Sequence, residues 1–87
     1  MSFSDLSRPD KKVAGLKQVQ KFARLGLLDR VYIAKDADED VTQKLLGVCA
    51  KFAIPYDITH TMHQIGNACS IEVGSSCAGV FKNRNGT

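Results

Sequence analysis

The 87-residue chain contains no tryptophan, only two prolines and three cysteines. None of its apolar runs approaches the roughly 20 residues that a membrane-crossing helix needs, so the sequence predicts no membrane partner. Its first residues lack a basic segment followed by an apolar one, so we expect no secretory signal and a cytoplasmic location. With 44% hydrophobic and 24% charged residues, the composition indicates a single small folded domain rather than a disordered chain.

The three cysteines, Cys49, Cys69 and Cys77, form an odd set without a CxxC pair, which argues against a disulfide framework. We expect them to be reduced and buried. A zinc or thiol site built from His60, His63 and Cys69 is an alternative, but the histidines lack a second ligand pair at the spacing of zinc sites. The sequence therefore predicts no catalytic residue, metal or cofactor, and a protein that is not an enzyme.

Charge is distributed unevenly along the chain, whose formal net charge is +3. Asp36, Asp38, Glu39 and Asp40 form an acidic cluster, in which the spacing of Asp36 and Glu39 predicts the cap of a following helix. Half of the basic residues precede residue 25, a bias that is compatible with nucleic-acid binding but also with an ordinary solvated face. These basic residues are Arg8, Lys11, Lys12, Lys17, Lys21 and Arg24.

Hydrophobic periodicity predicts strands that alternate with helices. The continuous apolar run from Val31 to Ala34 indicates a central strand covered on both faces. Tyr56 and Ile58 alternate with polar residues after Pro55, which indicates an edge strand. Two further strands are expected, at Val13–Ala14 and over 77–81. We also expect four helices: a short N-terminal helix at Phe3 and Leu6, a helix from Leu16 with a left-handed end at Gly26, a helix marked by Val41, Leu45, Val48, Cys49 and Phe52, and a helix capped by Thr61 and Gln64.

The helix that follows Gly15 is the most informative element. Leu16, Val19 and Ala23 give it an apolar face, and the opposite face is basic. A helix start presents unsatisfied amides and a positive dipole end, and residues four apart share a face, so Lys17 and Lys21 can meet a phosphate backbone together. The amide of Gln18 both donates and accepts hydrogen bonds, which suits contact with base edges. This stretch predicts an RNA-reading surface, although in isolation such a pattern is more often a solvated helix face.

Three segments in order, VAGLKQVQKFARLG (13–26), VYIAKDAD (31–38) and IGNACSIEVG (65–74), identify a family resemblance. The chain resembles the short bacterial members of the L-seven-Ae ribosomal-protein family of kink-turn RNA binders. The resemblance implies a three-layer α/β/α sandwich around a mixed four-stranded sheet. It further implies a monomer that binds RNA without catalysis and without a small-molecule substrate. We expect one RNA-binding domain over residues 1–82 and, because the polar end of the chain contains Asn-Gly, a frayed tail over 83–87.

The resemblance also implies which residues meet the RNA. In the family, polar residues just after the helix-opening glycine contact guanines of tandem sheared G·A pairs, and these positions correspond here to Lys17, Gln18 and Lys21 after Gly15. In the family, a loop before the last strand also holds the kink. In that loop Ile71 and Val73 would form an apolar shelf for an extruded nucleotide beside the acceptor Glu72, unless the two apolar residues face the core. Lys35, at the end of the central strand, is expected near phosphate, and about four of Arg8, Lys12, Lys17, Lys21 and Lys35 are expected to contact phosphates.

Departures from the family pattern concern affinity more than binding mode. Asn67 and Ser70 stand where relatives often have lysine and glycine, and Leu16 replaces a more usual threonine or serine-like residue. Ribosomal RNA and structured leader elements are both candidates for the bound RNA. A protein–protein adaptor of the same fold is a further alternative, because the acidic cluster suits a basic partner.

Overall fold

In the computed structural model, which describes residues 11–69 and 75–82, strands and helices alternate along the chain. The elements are β1 (Lys12–Ala14), α1 (Leu16–Arg24), β2 (Leu28–Ile33), α2 (Glu39–Phe52), β3 (Tyr56–Asp57), α3 (Met62–Ala68) and β4 (Cys77–Phe81). The helix predicted at Phe3 and Leu6, the loop residues 70–74 and the tail 83–87 lie outside the described residues. No helix in the described part of the chain has the length and hydrophobicity needed to traverse a bilayer.

The four described strands form one mixed sheet in the order β1-β4-β2-β3. β4 is antiparallel to β1 and β2, with Val31 opposite Gly79, whereas β3 runs parallel to β2. The prediction of a central strand is confirmed, because β2 lies inside the sheet and Val31 to Ile33 are buried. β2 begins earlier than predicted, at the buried Leu28. The prediction of an edge strand is also confirmed, although β3 contains only Tyr56 and Asp57.

Two hydrophobic clusters cover the two faces of the sheet. On one face, Val19 and Ala23 of α1 and Leu45 and Cys49 of α2 pack against alternate residues of β2. On the other face, Ile65 of α3 and the C-cap residue Cys69 pack against Tyr32 of β2 and against Ala78 and Val80 of β4. This alternation follows from the period of two in a strand. The predicted three-layer α/β/α sandwich is therefore confirmed, with α1 and α2 in one layer and α3 in the other.

Helix ends show which local signals are reliable. Gly26 has φ 73°, as predicted for a left-handed end of α1, and Thr61 and Gln64 form the predicted capping box at α3. The prediction that Asp36 caps α2 is wrong. Asp38 occupies the N-cap position of α2, without a side-chain hydrogen bond, and the Asp36 Oδ1 accepts instead from the amide of Met62, at 2.7 Å, in the first turn of α3.

All three described helices begin at the same edge of the sheet, which we call the helix-start edge and define by Gly15, Lys35 and Thr61. β1, β2 and β3 run in one direction, and each is followed by a helix. β4 runs the other way, so its first residues lie at this edge too. The amide of Gly15 donates to Cys77 O and that of Ala34 to Ser76 O. Residues far apart in sequence are thereby gathered at one place.

Candidate nucleic-acid interface

Gly15 shapes the junction between β1 and α1. Its backbone adopts φ 94° and ψ 149°, a region that is essentially restricted to glycine. A Cβ built at Gly15 would meet no atom of residues 11–69 or 75–82 within 4 Å, so the backbone conformation, and not a lack of space, requires glycine here. The amide of Gly15 donates to Cys77 O at 3.1 Å, and its carbonyl accepts from the amide of Val19 at 3.0 Å. Both ends of the residue are therefore fixed, which sets the direction in which α1 leaves the sheet.

The start of α1 is an electropositive, uncapped helix end. Among the described residues no side chain caps it, and its first turn contains no acidic residue. The amides of the first three helical residues therefore have no intrahelical acceptor, and no side chain of the described residues caps them. Their dipoles add partial positive charge to that of the nearby lysines, so the arrangement favours an anion.

Lys17, Gln18 and Lys21 project from this helix start, and all three are exposed. Lys17 and Lys21 lie one turn apart on the same face because they are four residues apart. The Lys21 Nζ lies 5.3 Å from the centroid of the Phe22 ring, which is itself packed edge-on against Phe81. The structure therefore brings together the predicted cations and the predicted amide in solvent, where they can reach a ligand.

Lys35 lies at the same edge as Gly15. Its side chain is exposed just after β2, and its amide donates to His60 O at 2.8 Å. The amides of the neighbouring Ala34 and of the α1-opening Gly15 donate to Ser76 O, just before β4, and to Cys77 O, at its first residue. Lys35 and the start of α1 thus share the helix-start edge.

The second predicted surface, Ile71, Glu72 and Val73, lies outside the described residues. The first described residue after it, Ser75, is held by hydrogen bonds to the start of β4 and to the start of α3. Ser75, 8% exposed, donates its hydroxyl to Cys77 O at 2.7 Å and its amide to Met62 O at 3.1 Å. Cys77 O therefore accepts from both Ser75 and Gly15, which joins the base of this loop to the start of α1.

Lys12 has a different contact from the predicted phosphate contact. Its Nζ donates to Cys69 O, at 3.1 Å, at the C-terminal end of α3. A cation at a helix C-terminus satisfies an orphan carbonyl and complements the dipole. Lys12 therefore ties β1 to α3. Arg8 lies outside the described residues, which leaves Lys17, Lys21 and Lys35 as the exposed members of the predicted phosphate-binding set.

The alternative zinc or thiol site finds little support in the described residues. Within 11–69 and 75–82, no three His, Cys, Asp or Glu side chains come together in a way that could hold a metal. His60 lies 3.8 Å from the Asp57 carboxylate, His63 is exposed, and Cys69 is 3% exposed. Burial raises the pKa of the Cys69 thiol, and it raises that of Cys77 to about 11. Both thiols are thus protonated near neutral pH, when a thiol is a poor nucleophile.

Sequence patterns missed two supporting residues, Ser75 and Asp36. Ser75 joins the loop base to β4, and Asp36 holds the first turn of α3. Asp36 carried a visible signal, since an acid near a helix start is typical of a cap, but its partner lies 26 residues away. For Ser75, a lone serine in a polar stretch carries no such signal.

Comparison with known proteins relates the chain to one family. The family model described as "Ribosomal protein L7Ae/L30e/S12e/Gadd45 family" matches residues 3–86. A protein named RNA-binding protein TTE2299, from Caldanaerobacter subterraneus subsp. tengcongensis, is 39% identical over 70 residues, covering 80% of this chain and 85% of the relative. RNA-binding protein YbxF of Geobacillus stearothermophilus is 27% identical over 82 residues, covering 94% and 100%.

Solved structures share the fold. A protein of unknown function from Bacillus halodurans C superposes with a TM-score of 0.82 at 26% identity, covering 95% of this chain and 85% of that one. The Giardia lamblia 15.5kD RNA binding protein superposes with a TM-score of 0.84 at 23% identity, covering 95% of this chain and 70% of that one. Because the Giardia protein is only 23% identical to this chain, the comparison with it shows a shared fold alone.

Proposed function

This chain belongs to the ribosomal protein L7Ae/L30e/S12e/Gadd45 family, and from that premise we propose that it is an RNA-binding protein that recognises kink-turns. A kink-turn is a helix–internal loop–helix element bent sharply at tandem sheared G·A pairs. Several relatives are named RNA-binding proteins, which supports RNA as the ligand class. Recognition of the kink-turn itself rests on the residues of the helix-start edge.

The observation that carries the proposal is the grouping of Lys17, Gln18 and Lys21 on the uncapped start of α1. All three are exposed, and no acidic side chain competes in that turn. Sheared G·A pairs expose guanine acceptor atoms in a groove opened by the kink. A lysine and a glutamine amide can donate to these atoms, although the deep major groove of regular A-form RNA is closed to side chains. Non-duplex geometry would therefore supply the specificity.

Lys35 and the loop before β4 complete the proposed interface. Lys35 is exposed at the same edge and would neutralise a phosphate beside the kink. Ile71, Glu72 and Val73 are proposed to grip the extruded nucleotide of the internal loop, since unstacked bases are what proteins usually hold in RNA. The bond pair on Cys77 O supports this role, because it anchors the loop base beside Gly15.

We propose further that residues 1–82 form the RNA-binding domain, with 83–87 as a tail, and that the protein acts as a cytoplasmic monomer by binding alone. On this account it performs no catalysis and needs no cofactor. Its RNA would be a ribosomal segment or a structured leader that contains the kink-turn.

A gel-shift titration tests the proposal with two RNAs of equal length. One contains a kink-turn, and in the other the tandem G·A pairs are replaced by Watson–Crick pairs. Because each good base contact contributes about 1–3 kcal/mol, we expect the kink-turn to bind at least about tenfold more tightly. Equal affinity for both RNAs would contradict kink-turn recognition. If the chain associates with a cellular protein even after nuclease treatment, and binds the two RNAs equally well, the adaptor function is favoured instead.

A further inference from the structure

A groove of about 410 Å³ runs between α1 and α2 on the outer surface of the sandwich. Arg24 of α1 faces Lys44 and Lys51 of α2 across it, and Val48 and Phe52 supply apolar surface. Phe52 is 36% exposed, which is high for a phenylalanine on a face that otherwise packs. Of the described residues that line the groove, none is among those proposed above to contact RNA, so the site described above leaves the groove unexplained.

The charge of the groove has one sign. Of the described residues that line it, three are cationic and none is Asp or Glu. Within the described part of the chain, the ion pair found joins Asp57, at the end of β3, to His60, which precedes α3, and neither residue lines the groove. The Lys51 Nζ lies 5.7 Å from the centroid of the Phe52 ring, a contact that keeps the charge at the surface. Clustered uncompensated cations beside apolar carbon attract an anionic partner.

The groove continues the proposed RNA-binding surface. Arg24 follows Lys17 by seven residues and Lys21 by three, so the three lie along one face of α1. Lys44 and Lys51 are likewise seven residues apart, which places them two turns apart on one face of α2. Cationic side chains therefore extend from the helix-start edge along α1 and across to α2. Such a continuous path is typical of a surface that follows a phosphate backbone.

We propose that the α1–α2 groove binds the phosphate backbone of the RNA stem that adjoins the kink-turn. This inference rests on the proposed function and extends it from one turn of a helix to a second contact region. RNA is favoured over an acidic protein because the groove joins the helix-start edge without an intervening acid on α1. Phosphate contacts position the RNA and read no sequence, so the groove would add affinity without changing which RNA is chosen.

Single-charge variants test the inference with a kink-turn RNA whose stems extend well beyond the bend. Arg24→Gln, Lys44→Gln and Lys51→Gln each remove one groove cation and keep a good helix former. Lys82→Gln is the matched control, because Lys82 is exposed, lies after β4 and does not line the groove. Affinity is measured from 50 to 200 mM salt for each protein.

Each groove variant should reduce the magnitude of the slope of log affinity against log salt by about 1. When the salt concentration is raised from 50 to 200 mM, the affinity of each groove variant should therefore fall by a factor about three- to fourfold smaller than the factor for the unmodified protein. Lys82→Gln should retain the original slope. Discrimination between the kink-turn and its Watson–Crick counterpart should be unchanged in all variants, since phosphates carry no sequence information.

Three outcomes overturn the inference. If the groove variants have the same salt slope as Lys82→Gln and the protein still discriminates kink-turns, the groove does not bind phosphate, and the proposed function stands without it. Failure of the unmodified protein to discriminate would reject the proposed function, and with it the inference that rests on it. Groove-dependent binding of an oligoglutamate peptide, with unchanged RNA slopes, would assign the groove to an acidic protein.

A tethered-cleavage measurement locates the RNA independently of affinity. Gln43→Cys places one exposed thiol at the groove for an iron chelate, whereas the native Cys49, Cys69 and Cys77 are buried. Hydroxyl radicals should cut the stem next to the kink-turn. Cleavage confined to the G·A pairs, or none in the bound RNA, would contradict the inference.

Discussion

Replacing Gly15 with alanine should destabilise the fold and weaken RNA binding together. Gly15 has φ 94° and ψ 149°, where an alanine Cβ meets no neighbour but the backbone is strained. Holding a non-glycine residue there costs about 1–3 kcal/mol. With a urea m-value of about 1 kcal/mol/M for a small domain, the unfolding midpoint should fall by roughly 1–3 M. RNA affinity should fall as well, because relief of the strain moves the start of α1.

Two other glycines supply controls. Gly26→Ala also places alanine at a positive φ, 73°, but at the far end of α1, so it should cost about 1–2 kcal/mol of stability and leave RNA affinity unchanged in the folded protein. Gly47 lies inside α2 with open space around its Cβ position, so Gly47→Ala should stabilise the fold by about 0.5–1 kcal/mol. Urea unfolding and gel-shift titration of the three variants give both readouts. A Gly15→Ala protein as stable as the original would refute the reasoning.

The remaining predictions concern the helix caps and the buried thiol. Asp36→Ala removes the acceptor for the Met62 amide and should cost about 0.5–2 kcal/mol in urea unfolding, whereas no loss would show that the bond contributes little. Lys12→Met should also destabilise α3, because it removes the donor to Cys69 O. Amide hydrogen exchange in the last turn of α3 should therefore become faster, and an unchanged exchange rate would contradict the contact. Burial raises the pKa of the Cys77 thiol from an ordinary 9.0 to about 11, so the folded state holds this proton more tightly than the unfolded state. The protonated thiol therefore adds to the free energy of unfolding. This contribution is complete below pH 9 and is lost as pH rises toward 11. Cys77→Ala should flatten that decline, and an identical pH profile would exclude Cys77 as its source.

Short-range patterns predicted the elements well where one element determines its own shape. The uninterrupted apolar run at Val31–Ile33 identified a strand buried on both faces, and the Thr61–Gln64 spacing identified a capping box that the structure contains. The basic face of α1 could likewise be predicted, because it depends only on helical periodicity. In each case the pattern that identifies the element lies within a few residues along the chain.

Contacts between distant segments could not be predicted in this way. Asp36 and Glu39 have the spacing of a cap for α2, yet the sheet brings the Asp36 carboxylate to α3. Lys12 looked like one more free cation, but the fold places Cys69 O, at the end of α3, within reach of its Nζ. The α1–α2 groove exists only because two helices share one face of the sheet, so no single helix revealed it.

The central claim, that the start of α1 reads the G·A pairs, is tested most directly by a double-mutant cycle. Lys17→Ala and Gln18→Ala are each titrated against the kink-turn and against its Watson–Crick counterpart. We expect each substitution to weaken kink-turn binding by about 1–3 kcal/mol. The loss on the counterpart should be far smaller, so that a clear coupling energy remains. Equal losses on both RNAs, or no loss in either variant, would contradict the account.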